Sequence, residues 1–189
     1  MRPSKESRRT NSAKTNWRTD EYLGFHPTVI DWARLAAYID GEGSINLSPR
    51  RTNTGQSMTL CAKVVVTNTD FRLAKWCLET FGMKYYEHSN NSSSKRSVNW
   101  APCVYAQACG YKASWILLNC SPWFLLKRAQ AEVVLEHQAL IGPDVFARGS
   151  GVKTPQNILD MRMALKNKLT DLNKRGPKVA PDLIEAQAV

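Results

Sequence analysis

The segment that most constrains this chain is Asp31-Trp32-Ala33-Arg34-Leu35-Ala36-Ala37-Tyr38-Ile39-Asp40-Gly41-Glu42-Gly43, where a helical pattern runs into a strand pattern with little between them. Residues Asp31 to Ile39 read as a helix, Gly41 and Gly43 are expected to break it, and Ser44 to Leu47 begins an alternating stretch. Leu35, Tyr38 and Ile39 share a side suited to a core. Ala33, Ala37 and Gly41 form a second stripe with almost no side-chain bulk, along which another backbone can approach closely. A second copy of the chain across a two-fold axis and a helix of the same chain both satisfy such a stripe. Asp40 and Glu42 fall at the helix C-terminus, where unpaired carbonyls and the negative end of the dipole favour a cation. A carboxylate there can hold Mg²⁺, and a solvated acidic turn would use the same residues.

Beyond this point the pattern stays short and mixed. Asn53 to Gln56 reads as a turn, after which Leu60, Ala62, Val64 and Val66 alternate with Thr59, Cys61, Lys63 and Val65, giving a hairpin with one polar face. Thr69 or Asp70 can cap a helix reaching Phe81, with Phe71, Ala74, Cys77, Leu78 and Phe81 at helical spacing and Gly82 ending it. Strand candidates Lys84 to Ser89 and Val98 to Cys109 flank the polar loop Asn90 to Ser97. A short helix from about Lys112 to Asn119 is stopped by Ser121 and Pro122, and a longer one is expected from about Trp123 to Ile141. Pro155 opens a last helix of about Gln156 to Asn173. The order α-β-β-α-β-β-α-α-α belongs to the α+β class. One domain, residues 28–174, is expected between a basic flexible arm (1–27) and a loose tail (175–189) punctuated by Gly176, Pro177 and Pro181.

Charge narrows the partners. The 189 residues hold 26 Lys and Arg against 16 Asp and Glu, a formal +10, which suits a polyanion such as nucleic acid. Residues 1–18 contribute half of that excess through Arg2, Lys5, Arg8, Arg9, Lys14 and Arg18, against Glu6 alone. This arm is Arg- and Ser-rich like a transit peptide but has no amphipathic stripe, so it reads as a phosphate-attracting arm or a solubilising tail. Cys61, Cys77, Cys103, Cys109 and Cys120 are odd in number with no C-x-x-C pair, so reduced, mostly buried thiols are expected, with neither a disulfide framework nor a zinc site. No apolar run is long enough to span a bilayer, and a soluble chain is expected. His26, His88 and His137 are scattered, no E-x-K is present, and Gly149 to Thr154 lacks the adjacent Gly-Lys of a phosphate loop.

The stretch Leu35-Ala36-Ala37-Tyr38-Ile39-Asp40-Gly41-Glu42-Gly43 resembles the motif of the LAGLIDADG homing endonucleases. Its first Leu and Ala, its Ile, its first Asp and its last Gly are identical, and Ala37, Tyr38, Gly41 and Glu42 stand for Gly, Leu, Ala and Asp. The resemblance extends over about residues 30–141, in the α-β-β-α-β-β-α order which that fold requires, with a curved antiparallel sheet as a DNA-binding saddle and the C-terminal helices added. Single-motif members are homodimers, so the resemblance selects a second copy as the partner of Ala33, Ala37 and Gly41.

The resemblance implies a site-specific double-strand DNA endonuclease that hydrolyses phosphodiester bonds with Mg²⁺ or another divalent cation such as Mn²⁺, and no small-molecule cofactor. Glu42 matches the acidic residue that binds the catalytic metal, and the Gly41 carbonyl a backbone ligand. Asn68 and Arg72 match residues that order solvent near the scissile phosphate. Lys127, by its spacing from Pro122 and from Gln130-Ala131, matches the active-site lysine, with Arg128 the alternative one register away. On the fold's sheet, Asn46, Ser48, Arg50 and Thr52 with Thr59, Cys61, Lys63 and Val65 would face DNA, and Glu87 and Ser89 would extend that surface. A strand of about ten residues spans roughly ten base pairs, so a homodimer would cover about twenty at a pseudo-palindromic site. The expected setting is intracellular, with the target DNA, in a bacterial or phage cytoplasm or an organelle. An RNA-binding maturase on the same fold and an inactive DNA-binding regulator are the competing readings.

Overall fold

A computed structural model describes residues 24–51, 58–87, 103–141 and 154–174. The turn at 53–56, the loop at 90–97, the segment 142–153, the tail 175–189, most of the arm, and the site residues Thr52 and Ser89 lie outside them. The first helix, α1 (Val29–Glu42), starts two residues earlier than its apolar pattern. Thr28 is its N-cap and closes a capping box: the Asp31 N–H donates to Thr28 Oγ1 at 3.2 Å, and the Thr28 N–H donates to the Asp31 carboxylate at 2.9 Å. These Thr28 bonds hold the Asp31 carboxyl below its ordinary range. Gly41 does not stop the helix, which runs on to Glu42 before Gly43 opens β1.

Strand β1 (Gly43–Arg51) pairs antiparallel with β2 (Met58–Asn68), from Gly43↔Val66 to Arg51↔Met58. Asp70, not Thr69, is the N-cap of α2 (Phe71–Phe81), accepting from the Arg72 N–H at 2.9 Å. That helix ends at Gly82, whose φ of +62° is the left-handed region where glycine alone is unstrained. Strand β3 (Lys84–Glu87) and strand β4 (Val104–Cys109) complete a four-stranded antiparallel sheet of order β1-β2-β4-β3. Pro49 is accommodated because β1 is an edge strand, where a missing N–H breaks no second ladder. Helices α3 (Tyr111–Cys120), α4 (Arg128–Ala139) and α5 (Gln156–Leu172) follow, so the element order is the expected one.

Alternation sorts the sheet into two faces. Ile45, Leu47, Leu60, Ala62, Val64, Val66, Val104, Ala106 and Ala108 are buried beneath the helices. Helix α1 contributes Trp32, Leu35, Ala36 and Ile39 to this core, with the Trp32 ring 5.0 Å from Phe81 and 4.8 Å edge-on to Trp115. Tyr38, expected in the core, is 41% exposed and leans on Trp76 from outside. Helix α3 is the central helix, buried from Ala113 to Leu117.

The helix expected from Trp123 to Ile141 is divided. Ser121–Trp123 is a single 3-10 turn, Phe124 is extended and buried, and α4 begins only at Arg128. The physical reason lies 85 residues away: the Asp40 carboxylate accepts the backbone N–H groups of Leu125 and Leu126, at 2.8 and 3.3 Å, and that of Lys127, at 2.9 Å. These bonds replace the helical ones.

Candidate active site and nucleic-acid interface

The same Asp40 contacts position Lys127. Its ammonium donates at 2.6 Å to the Ile39 carbonyl and at 2.6 Å to the Asp40 carbonyl, capping the last turn of α1. Glu42, the final residue of α1, is exposed two residues beyond Asp40, so acid and lysine share one helix end. Gly41 is exposed, and a Cβ placed there would meet nothing within 4 Å. Gly43 is the opposite case: an added Cβ would lie 2.6 Å from Ile39 Cα and 2.7 Å from its carbonyl oxygen, so the helix-to-strand junction demands glycine.

Asn68 closes β2 two residues beyond the Gly43↔Val66 pair, and its Oδ1 accepts the Asp70 N–H at 2.8 Å. It lines an open cleft of about 430 Å³ with Arg34, Tyr38, Asp70, Arg72, Leu73 and Trp76. The cleft therefore joins Asn68 and Arg72, whereas Glu42, Gly41 and Lys127 gather at the end of α1 outside its lining. Arg72 is largely exposed and grips Asp70, its Nε lying 3.0 Å from either carboxylate oxygen and its Nη2 2.5 Å from Oδ2. The guanidinium holds the Asp70 carboxyl down at about 2. Arg72, expected to order solvent with Asn68, is thus paired with Asp70, and any group it is to hold in the cleft has to compete with that carboxylate.

On the sheet face turned away from the helices, the register places Ser44, Asn46 and Ser48 opposite Val65, Lys63 and Cys61, and the backbone of Arg50, whose side chain lies outside the described residues, pairs with Thr59. Asn46, Ser48, Cys61, Lys63 and Val65 are half-buried and Thr59 is exposed. Glu87 is not on this face. It pairs with Val104, whose side chain is in the core, so β3 contributes Lys84 and Tyr86 through the pairs Lys84↔Gln107 and Tyr86↔Tyr105. All four β3 side chains are exposed, so no alternation of apolar residues marked the inward side.

Several residues were missed by sequence reasoning. Thr67, Tyr105 and Gln107 share the open face, and Tyr86 and Tyr105 stack with ring centroids 5.2 Å apart. Their signal was present as the continued parity of β2 and β4. Asp40 carried no local signal for its contacts with residues 125–127, and Arg34 and Trp76 enter the cleft only through the packing of α1 on α2.

The bulk-free stripe faces outward. Ala33 is half-buried, Ala37 and Gly41 are exposed, and Ile30 extends the line with 62% exposure. At its other end Leu125 and Leu126 are 90% and 73% exposed, in the segment tied to α1 by Asp40. The five cysteines are free thiols: Cys77 and Cys120 are buried, Cys61 and Cys103 half-buried and Cys109 exposed, fewer buried than expected. Burial pushes the Cys77 thiol up to about 12 and the Cys120 thiol higher still. Among the described residues, no group of three or more His, Cys, Asp or Glu side chains could hold a metal, and no helix is long and apolar enough to cross a membrane.

A four-stranded sheet with one open face, entered at Gly43 from a helix that ends in Asp-Gly-Glu, is the fold of the LAGLIDADG homing endonucleases. The chain is similar in structure to the homing endonuclease I-CvuI in complex with its target in the presence of 2 mM Ca, with a TM-score of 0.58 at 16% identity over 84% of this chain and 92% of that one. A second I-CvuI complex, with the I-CreI target uncleaved in 2 mM Mg, matches with a TM-score of 0.57 at 18% identity over 80% and 86% of the two chains. The archaeal intron-encoded homing endonuclease I-Vdi141I, complexed with DNA, matches at 0.54 and 16% identity over 83% of this chain and 93% of that one. No protein-family model and no curated protein sequence matches the chain.

Proposed function

We propose that this chain is a divalent-metal-dependent endonuclease that cuts double-stranded DNA at a long, pseudo-palindromic site as a homodimer. The observation that carries this reading is the convergence of Glu42 and Lys127 on the C-terminus of α1, between an open polar sheet face and an exposed small-residue stripe. The DNA complexes of the similar structures support the substrate class.

Glu42 and the Gly41 carbonyl are hard oxygen donors at a negative helix end, and Mg²⁺ is commonly held by one or two carboxylates with substrate phosphate completing the shell. The Asp40 carboxylate at this helix end is taken up by residues 125–127, which leaves Glu42, and a second copy docked along Ala33, Ala37 and Gly41 would bring its Glu42 alongside, with Leu125 and Leu126 extending the contact. A divalent metal held there would supply a water of lowered pKa and neutralise developing charge. Hydrolysis joins the oxygen of water to phosphorus and releases a sugar oxygen as the leaving group. Lys127 contributes positive charge near the pentavalent phosphorus. Asn68, and Arg72 once Asp70 yields, orient water in the neighbouring cleft.

Asn46, Ser48, Arg50, Thr52, Thr59, Cys61, Lys63 and Val65 are assigned to base and backbone contacts, now joined by Thr67, Lys84, Tyr86, Tyr105 and Gln107. The test is cleavage of a randomised duplex library in Mg²⁺ with sequencing of the ends, beside Glu42→Gln. Two-fold-related cuts that need metal and vanish in the variant are expected. Duplex binding without cutting would transfer the chain to the regulators, and preferential binding of structured RNA to the maturases.

A further inference from the structure

The last helix lies beyond the stretch that resembles the endonuclease motif region, yet it is fastened to the domain at several points. Leu165 and Leu169 are buried, the Arg162 guanidinium donates to the Leu140 carbonyl at 2.9 Å, and the Gln130 amide donates to the Leu172 carbonyl at 3.3 Å. Its C-cap is Asn173. The backbone N–H of that residue donates to the Leu169 and Thr170 carbonyls at 3.0 and 3.2 Å, which holds the side chain over β1. There the carboxamide Nδ2 donates to the Ile45 carbonyl at 2.9 Å and to Asn46 Oδ1 at 3.4 Å. Asn46 Nδ2 in turn donates to Ser44 Oγ at 3.2 Å.

Asn46 is thus held between a donor and an acceptor, its oxygen toward α5 and its nitrogen toward Ser44. An asparagine reads adenine by presenting its oxygen to N6–H and its nitrogen to N7, so a reversed amide offers the wrong edge. One lone pair on Oδ1 and one N–H on Nδ2 remain in this arrangement for a base.

We infer that Asn173 is a positioning residue for DNA recognition, holding the Asn46 carboxamide in one orientation on the open face of β1. The inference rests on the endonuclease reading above. Its physical basis is preorganisation: an amide already oriented by a docked helix loses less freedom on meeting a base than one that rotates.

The test is the base-by-base binding preference of the full chain on a randomised duplex library, for wild type, Asn46→Ala, Asn173→Ala, Asn173→Asp and the Asn46→Ala/Asn173→Ala double variant. Asn46→Ala is expected to flatten the preference at one position of each half-site. Asn173→Ala should weaken preference at that same position by about five-fold and leave the others intact, since of the two bonds lost only the one to Asn46 Oδ1 orients a base-facing group. Asn173→Asp, which places an acceptor against the Asn46 oxygen, should change the preferred base there. In the double variant the two effects should not add. Thermal unfolding of each variant separates this from mere anchoring of α5, which would lower stability with an unchanged or uniformly weakened profile and overturn the inference. Absence of any sequence preference in the wild type would overturn the DNA reading itself.

Discussion

Replacement of Asp40 by alanine perturbs both the backbone of residues 125–127 and the placement of Lys127. Two of the three N–H bonds to the carboxylate are short, at 2.8 and 2.9 Å, and the third is 3.3 Å. A hydrogen bond to a charged group contributes roughly 1.5–3 kcal/mol when shielded. Leu125 and Leu126 are exposed, so water substitutes for the carboxylate at those two, while Lys127 is half-buried and does not recover its bond as readily. The arrangement also resembles a helix N-cap in trans, for which truncation costs about 0.5–2 kcal/mol. We expect Asp40→Ala to lose about 2 kcal/mol and Asp40→Asn, which keeps one acceptor oxygen without the charge, about half that.

The effect on catalysis should be larger than the effect on stability. Lys127 Nζ is fixed 2.6 Å from two carbonyls by a segment that Asp40 holds in place, and a displacement of about 1 Å can cost about 10²-fold in rate. Urea unfolding measures the first quantity and single-turnover cleavage in Mg²⁺ the second, with duplex affinity as the control. Asp40→Ala within about 0.5 kcal/mol of wild type and within two-fold in rate would refute the reasoning, because the carboxylate would then be dispensable to both segment and lysine.

Three further outcomes follow from packing and burial. Gly43→Ala forces its Cβ against the Ile39 backbone and should cost about 1–3 kcal/mol in urea unfolding; a neutral result would mean that α1 can slide at the junction. His137 is fully buried, with neither ring nitrogen hydrogen-bonded to any of the described residues, and burial, aided by Arg162, holds it down at about 4. Above about pH 6.5 the imidazole is neutral in both states, but below it the unfolded chain gains a proton that the fold refuses, so stability should fall by about 1.4 kcal/mol per pH unit until about pH 4. His137→Leu should remove that slope, and parallel acid limbs for the two proteins would count against it. Iodoacetamide under native conditions should label Cys109 first and leave Cys77 and Cys120 unmodified until urea is added; early labelling of either buried thiol, followed by mass spectrometry, would contradict the packing of α2 and α3.

Much of the molecule is legible in its sequence. The element order, a cap at Thr69 or Asp70, the Gly82 stop and the two faces of the β1–β2 hairpin follow from helical spacing, strand alternation and turn residues, all set within a few positions of the chain, while the structure chose Asp70 for the cap. The stripe of Ala33, Ala37 and Gly41 was equally legible, because the absence of side-chain bulk is a property of sequence alone, but that it faces outward was decided by the packing of the other faces of α1. What tertiary structure decided is what depends on distant partners. Trp123 to Lys127 carries no strong helix breaker after Pro122, and only the Asp40 carboxylate and the burial of Phe124 keep it out of α4. The side of β3 that faces the core was set by its pairing with β4, since Lys84, Tyr85, Tyr86 and Glu87 are all exposed and show no alternation. Arg72 is neutralised by Asp70 through a side-chain geometry that spacing does not dictate, and Asn173 reaches Asn46 across 127 residues. Local periodicity sets which face of an element is apolar; which polar groups meet is settled only when the elements pack, because an unpaired carboxylate or amide can find its partner anywhere the fold brings one.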